Sequence, residues 1–196
     1  MATIPSEIWG AISVGFAVVS LAPYLWATLR GTNKPHLFTW IIWALLTAIA
    51  FALQYLEGAG SGSWSGAVST LFSVAILVAA IRHGEKHITR SDWIVLLLAL
   101  MAIPIWLITQ NAAWAAVWVT AIDGAGYIPT MRKSWIKPYE EMTTTHALSM
   151  VKHVCVLLAV QNVHFATVFY TWGMIVMNGL LVLMIWARRF VEQNKS

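Results

Sequence analysis

Seven long apolar stretches, at 8–29, 36–56, 64–81, 93–109, 112–132, 142–160 and 165–187, occupy most of this 196-residue chain and leave only short connectors. Each has the length of a membrane-spanning helix, which needs roughly 17–25 mostly apolar residues. Charged residues make up 10% of the chain, against about 25% in a soluble domain. So few charges cannot clothe a water-facing globule, and the mean hydropathy of +0.71 points the same way. Soluble enzymes, disordered proteins and nucleic-acid-binding domains are excluded on this ground, although the sequence pI is about 9.4. The reading is an all-α polytopic membrane protein. No connector is large enough to form a domain, so any chemistry belongs inside the helix bundle. The first stretch does not read as a signal peptide: Glu7 precedes it without any Lys or Arg, and the apolar run is longer than an h-region.

All but one of the 12 Lys and Arg residues fall in alternate connectors or at the C-terminal end, on one side of this topology. They are Arg30 and Lys34; Arg82, Lys86 and Arg90; Arg132, Lys133 and Lys137; and Arg188, Arg189 and Lys195. Basic residues concentrate in short cytoplasmic loops. The expected orientation therefore has the N-terminus outside and the C-terminus in the cytoplasm. The compact loops suit a bacterial inner membrane. Most of the 12 tryptophans lie near span ends, as an interfacial belt requires, whereas Trp43, Trp118 and Trp172 sit deeper. The single cysteine, Cys155, excludes an intramolecular disulfide and any Cys-based metal centre, and lies in an apolar run as a packing residue.

The chain carries an internal repeat. The segment from Lys34 to Leu45 reads KPHLFTWIIWAL and that from Lys137 to Leu148 reads KPYEEMTTTHAL, sharing Lys-Pro at the start and Ala-Leu at the end. Each follows a span with a proline near its basic end, Pro23 in the first span and Pro129 in the fifth. The repeat covers spans one to three and five to seven. Both copies start on the same side, so they are parallel, and the fourth span is a linker. The expected organisation is 1–91 as an N-terminal three-helix repeat, 92–111 as the linker helix and 112–196 as the C-terminal repeat.

This three-plus-one-plus-three pattern, with Ala22-Pro23-Tyr24 and Ile128-Pro129-Thr130 closing the first helix of each triplet, resembles the PQ-loop superfamily, which includes the SWEET sugar transporters. The residue after the proline is Tyr24 in one copy and Thr130 in the other, so both motifs depart from Pro-Gln. The resemblance implies a carrier in which Pro23 and Pro129 are hinges and an asparagine of the last span, here Asn178, contacts substrate. A proline within a helix removes one backbone hydrogen bond and clashes with the preceding turn, which is the physical basis of a bending point. A static kink is the competing reading, and Pro104 of the fourth span has no repeat partner. A retinal protein is excluded, because the seventh span contains no lysine.

Two charges stand inside spans. Asp123 lies about 13 Å and Lys152 about 16 Å from the basic end at 1.5 Å per residue, so both fall near the midplane on successive helices. A charge there costs at least about 2.5–3.5 kcal/mol on insertion scales. Such charges face the bundle interior, either as a substrate or proton site or as a structural ion pair locking the fifth and sixth spans. A zwitterion or a small carboxylate could insert between them, or Asp123 could relay a proton. His146, Ser149 and His153 share one face of the sixth span, bordered by Lys152. The two histidines are roughly 10 Å apart along the axis, and no further metal ligands accompany them. Neither a metal site nor a cofactor is expected. Tyr127 shares the face of Asp123 one turn on, while Gly124 and Gly126 allow close helix approach. Trp40, Trp43 and Gln54 are the comparable features of the N-terminal repeat.

The expected substrate site therefore comprises Asp123, Tyr127, Lys152, Asn178, Trp43, His146, Ser149 and His153. The leading function is a small-solute carrier working by alternating access, with membrane lipid and a small metabolite as partners and no nucleic acid; homo-oligomers are optional. A receptor, sensor or accessory subunit on the same fold is the alternative. An enzyme is not expected, because no nucleophile–base pair or metal-ligand cluster appears.

Overall fold

The computed structural model describes residues 4–32, 35, 37–84, 90–136, 138–140 and 143–194, and within these it leaves out the side chains of 91, 92, 128–130, 132, 133 and 140. The described residues form helices without strands: α1 (Ser6–Leu29), α2 (Leu37–Leu56), α3 (Trp64–His83), α4 (Arg90–Leu100), α5 (Ala102–Thr109), α6 (Ala112–Ile136), α7 (Thr143–Ala159) and α8 (Phe165–Gln193). Short 3-10 turns at Gly60–Ser63 and Pro138–Glu140 precede α3 and follow α6. Among the described residues, four helices are long and apolar enough to cross a bilayer: Ser6–Leu29, Leu37–Leu56, Gly60–His83 and Phe165–Gln193. Their outer faces carry large exposed apolar side chains such as Val19, Leu71, Leu183 and Trp172. Water would be a poor solvent for that surface, whereas lipid satisfies it.

Six of the seven apolar stretches correspond to one helix each, and the fourth is divided. The stretch 93–109 breaks at Met101, between α4 and α5. Pro104 supplies the cause: it has no N–H for the carbonyl of Leu100, and its ring clashes with that carbonyl. The amide of Met101 instead donates to Leu97 and Leu98, both at 3.2 Å. The indole Nε1–H of Trp118 donates to Leu98 O at 2.6 Å, so this deep tryptophan braces the break from α6. In contrast α1 continues unbroken through Pro23, and the backbone of α6 through Pro129, whose side chain lies outside the described residues. Lys34 and Lys137 of the repeated loops lie outside them too.

α3 packs against both α1 and α2, and α8 packs against both α6 and α7. The two groups meet where α1 lies on α7 and α2 lies on α6, while α4 and α5 lie against α2 and α6. The main core runs through α2, with Phe38, Ile42, Leu46 and Ala50 buried against Ala99, Ala102 and Val119. A polar clamp joins the groups: the buried Gln54 amide donates to Thr171 Oγ1 at 2.8 Å and to Thr167 O at 3.2 Å.

The two ends of the bundle differ in chemistry. One end gathers arginines on aromatic rings: Arg188 lies over Trp135 and donates to its carbonyl at 2.9 Å, and Arg189 lies over Tyr139 and donates twice to Pro138 O. The other end is knit by uncharged and acidic groups. Ser61 Oγ donates to Ala159 O at 2.9 Å, Asn162 Nδ2 to Glu57 O at 3.1 Å, and Gln161 Nε2 to Ser6 Oγ and Glu7 Oε1 at 3.2 and 3.3 Å. His164 Nε2 lies 3.0 Å from Glu57 O and 3.6 Å from its carboxylate. Packing is close at Gly62, where a Cβ would stand 2.7 Å from Val160 Cγ2 and 2.9 Å from Val160 Cα.

Candidate functional site

A cavity of about 210 Å³ lies where the two helix groups face each other, with walls from α1, α2, α3, α6, α7 and α8. Seven of the eight residues expected from sequence line it: Trp43, Asp123, Tyr127, His146, Ser149, Lys152 and His153. Its polar wall follows from the register of α7, where Thr145, His146, Ser149, Lys152 and His153 turn toward the same space at helical spacing. Thr145 and Gly126 are exposed, while Asp123, His153 and Met174 are buried. A second, smaller cavity of about 30 Å³ shares Ser69, Lys152, His153 and Tyr170 with it and is lined further by Gln54 and Thr171.

Asn178 stands outside this lining. It is 1% exposed, donates through Nδ2 to Met174 O at 2.8 Å, and places Oδ1 3.2 Å from His146 Nδ1. With the amide oxygen accepting, the donor is His146 Nδ1–H. Asn178 thus orients a cavity residue and does not itself line the cavity. Gly126 also departs from expectation. A Cβ there would meet nothing within 4 Å, so it opens space, whereas Gly124 lies against Met177.

Asp123 and Lys152 do not form a salt bridge. Asp123 Oδ2 accepts the hydroxyl proton of Tyr170 at 2.9 Å. Lys152 has neither an ion pair nor a hydrogen bond among the described residues, and it interacts with Asp123 only at longer range. The locked ion pair envisaged between the fifth and sixth spans is replaced by a tyrosine–carboxylate bond from α8 to α6. His153 packs edge-on to the Tyr170 ring at 6.1 Å, and its Nδ1 is buried without a hydrogen-bond partner, as is Ser69 Oγ. The imidazole is therefore packed but not hydrogen-bonded at that nitrogen.

Tyr24, Trp40 and Trp43 form a row on the opposite side, with Trp40 5.0 Å from Tyr24 and 5.2 Å from Trp43. Trp40 and Trp43 line the cavity with Ser20, Ser69 and Ser73. Trp172, in contrast, is exposed on the outside of the bundle. Tyr170 is the functional candidate that span-by-span reading passes over. Its signal was present in the spacing, since Tyr170, Met174 and Asn178 recur every four residues along one face of α8. Among the described residues, no group of His, Cys, Asp and Glu side chains could hold a metal ion. Compared with known proteins, the chain matches no family model, no curated protein and no solved structure.

Proposed function

We propose that this protein is a small-solute membrane carrier built from seven spans, with α4 and α5 together serving as the fourth. In this reading α1–α3 and α6–α8 are two parallel triplets that rock about the cavity between them, as in the PQ-loop carriers that the sequence resembles. The packing supports it: the third helix of each triplet touches the other two, and the first helix of each touches the second helix of the other. The substrate is a small polar, zwitterionic or anionic metabolite.

The observation that carries the reading is the cavity itself. It holds an aspartate, a lysine and two histidines at mid-bundle, facing a tryptophan wall contributed by the other triplet. Intramembrane ionisable residues are costly, and in membrane proteins they mark substrate and proton pathways. The polar cross-links at the Ser6–Glu57–His164 end, with Gly62 closed on Val160, correspond to a shut gate. The exposed Thr145, in the first turn of α7, corresponds to an opening at the arginine end. By the distribution of basic residues this is a cytoplasm-facing state in a bacterial inner membrane, with Ser6 at the outer surface.

The test is a ligand screen followed by flux. Purified protein is heated with sugars, amino acids, organic acids and vitamins, beside Lys152→Met and Asp123→Asn. A ligand at 100 times its Kd stabilises the folded state by about 2.7 kcal/mol. The reading expects a hit that both variants lose, and exchange of the same compound in proteoliposomes. An absence of stabilising ligands and of exchange, with both variants merely less stable, would sink the carrier in favour of a receptor or accessory subunit.

A further inference from the structure

The charges in the cavity are not equivalent, and the difference defines a ligand class. Asp123 has a protein partner, the Tyr170 hydroxyl, whereas Lys152 has none among the described residues. Lys152 lines both the main cavity and the smaller one beside it, together with Thr47, Ser69, His153 and Tyr170. Ser69 Oγ and His153 Nδ1, on the same lining, are also without partners among the described residues, although the residues are only 6% and 7% exposed. Buried polar atoms are nearly always hydrogen-bonded, so unpartnered ones call for an explanation. Three groups from α3 and α7, each able to donate a proton, thus line the same two cavities. One of them is a cation with no anion in contact among the described residues.

We infer that Lys152, Ser69 and His153 form a subsite for the carboxylate of a small organic monoanion, whose apolar body lies against Trp40 and Trp43. This deepens the carrier reading and rests on it. A carboxylate supplies two acceptor oxygens with about four lone-pair sites, enough for the ammonium, the hydroxyl and an imidazole N–H together. The size is limited: about 210 Å³ is the liquid volume of about seven waters at ~30 Å³ each. Trp40 and Trp43, which line the cavity, offer apolar surface for such a body. The site is asymmetric by construction. α3 contributes the small side chains Ser69 and Ser73 where α8 contributes the bulky Tyr170 and Met174, so the room for ligand lies on the α3 side.

The experiment measures Kd of benzoate and butyrate, each against its amide, for the detergent-purified full chain, with glucose and phenylglycine as probes of other classes. The carboxylates are expected to bind at least tenfold more tightly than their amides. Lys152→Met should lose that tenfold preference, Lys152→Arg should keep it, and Ser69→Ala should weaken carboxylates several-fold while leaving amides unchanged. If Lys152→Met does not fold, the amide comparison and Ser69→Ala still decide. Equal binding of acid and amide overturns the subsite. So does binding of glucose or phenylglycine without the simple carboxylates, although the carrier reading then survives. Binding of none of these, with no exchange of any metabolite in proteoliposomes, overturns both.

Discussion

Tyr170 on α8 donates its hydroxyl proton to Asp123 Oδ2 on α6 at 2.9 Å, and that bond takes the place of an Asp123–Lys152 salt bridge. It joins the two helices at the level of the cavity. Hydrogen bonds to charged groups contribute about 1.5–3 kcal/mol, and an unsatisfied buried acceptor costs its desolvation as well. Tyr170→Phe is therefore expected to lower stability by about 2 kcal/mol. A double-mutant cycle with Asp123→Asn, read by reversible unfolding in detergent, should give a coupling of about 0.5–3 kcal/mol. Additive effects would show that the hydroxyl and the carboxylate do not act together.

Gln54 supports the bundle one level further from the arginine end. Its amide donates to Thr171 Oγ1 and to Thr167 O, so one side chain on α2 ties down two turns of α8. Gln54→Leu keeps the volume and leaves those acceptors without a donor, at a cost of about 1–3 kcal/mol. Gln54→Glu should be worse, because an ionised carboxylate has no proton to give the Thr167 carbonyl and gains at most the Thr171 hydroxyl as a donor. The ordering Gln, Leu, Glu in melting temperature is the outcome to check; a more stable Glu variant would contradict the donor assignment.

Much of this arrangement is written in the sequence, and the limits are physical. The apolar stretches locate the helices because a bilayer-spanning segment satisfies its own backbone. The polar stripe of α7 locates the cavity wall because a lone polar face has nowhere else to go. Finer features depend on neighbours. Pro104 marks a kink in the fourth stretch, and it falls at Met101, whose backbone stays in the right-handed helical region while Trp118 braces the turn before it. For Asp123 and Lys152, depth alone permits both a substrate or proton site and a structural ion pair. Which carboxylate oxygen meets which donor depends on helix rotation, and Tyr170 won by approaching from α8. Asn178 illustrates the same limit: its depth was legible, but not that His146 would stand between it and the cavity.

The closed end makes a steric prediction. Gly62 fits against Val160 with no room for a Cβ, and a residue added there must displace the last turn of α7 or the preceding loop. Overpacking typically costs about 1–3 kcal/mol. Gly62→Val is expected to fall in that range and to separate Ser61 from Ala159, which are joined by a 2.9 Å hydrogen bond. A cysteine introduced at Gln161, on the same latch, should then react faster with a membrane-impermeant maleimide than it does in the parent. An unchanged labelling rate would mean that this end opens without reference to Gly62.

Pro23 is where a rocking triplet and a static bundle make opposite predictions. It lies inside α1, and Ser20 and Leu21 of the turn before it line the cavity, so bending at Pro23 moves that wall directly. Proline cannot donate to the carbonyl of Val19, which weakens the helix at this one point; in a helix interior the deficit is about 3 kcal/mol relative to alanine. Pro23→Ala restores the missing bond. The expected result is a protein at least as stable as the parent that exchanges solute more slowly, because the stiffer α1 resists the bend. Pro129→Ala in α6 should act in the same direction. Pro104→Ala should instead leave exchange unchanged while rejoining α4 and α5, seen as slower amide exchange around Met101. Equal exchange rates for Pro23→Ala and parent would make Pro23 a fixed kink, and the moving element would have to be sought elsewhere.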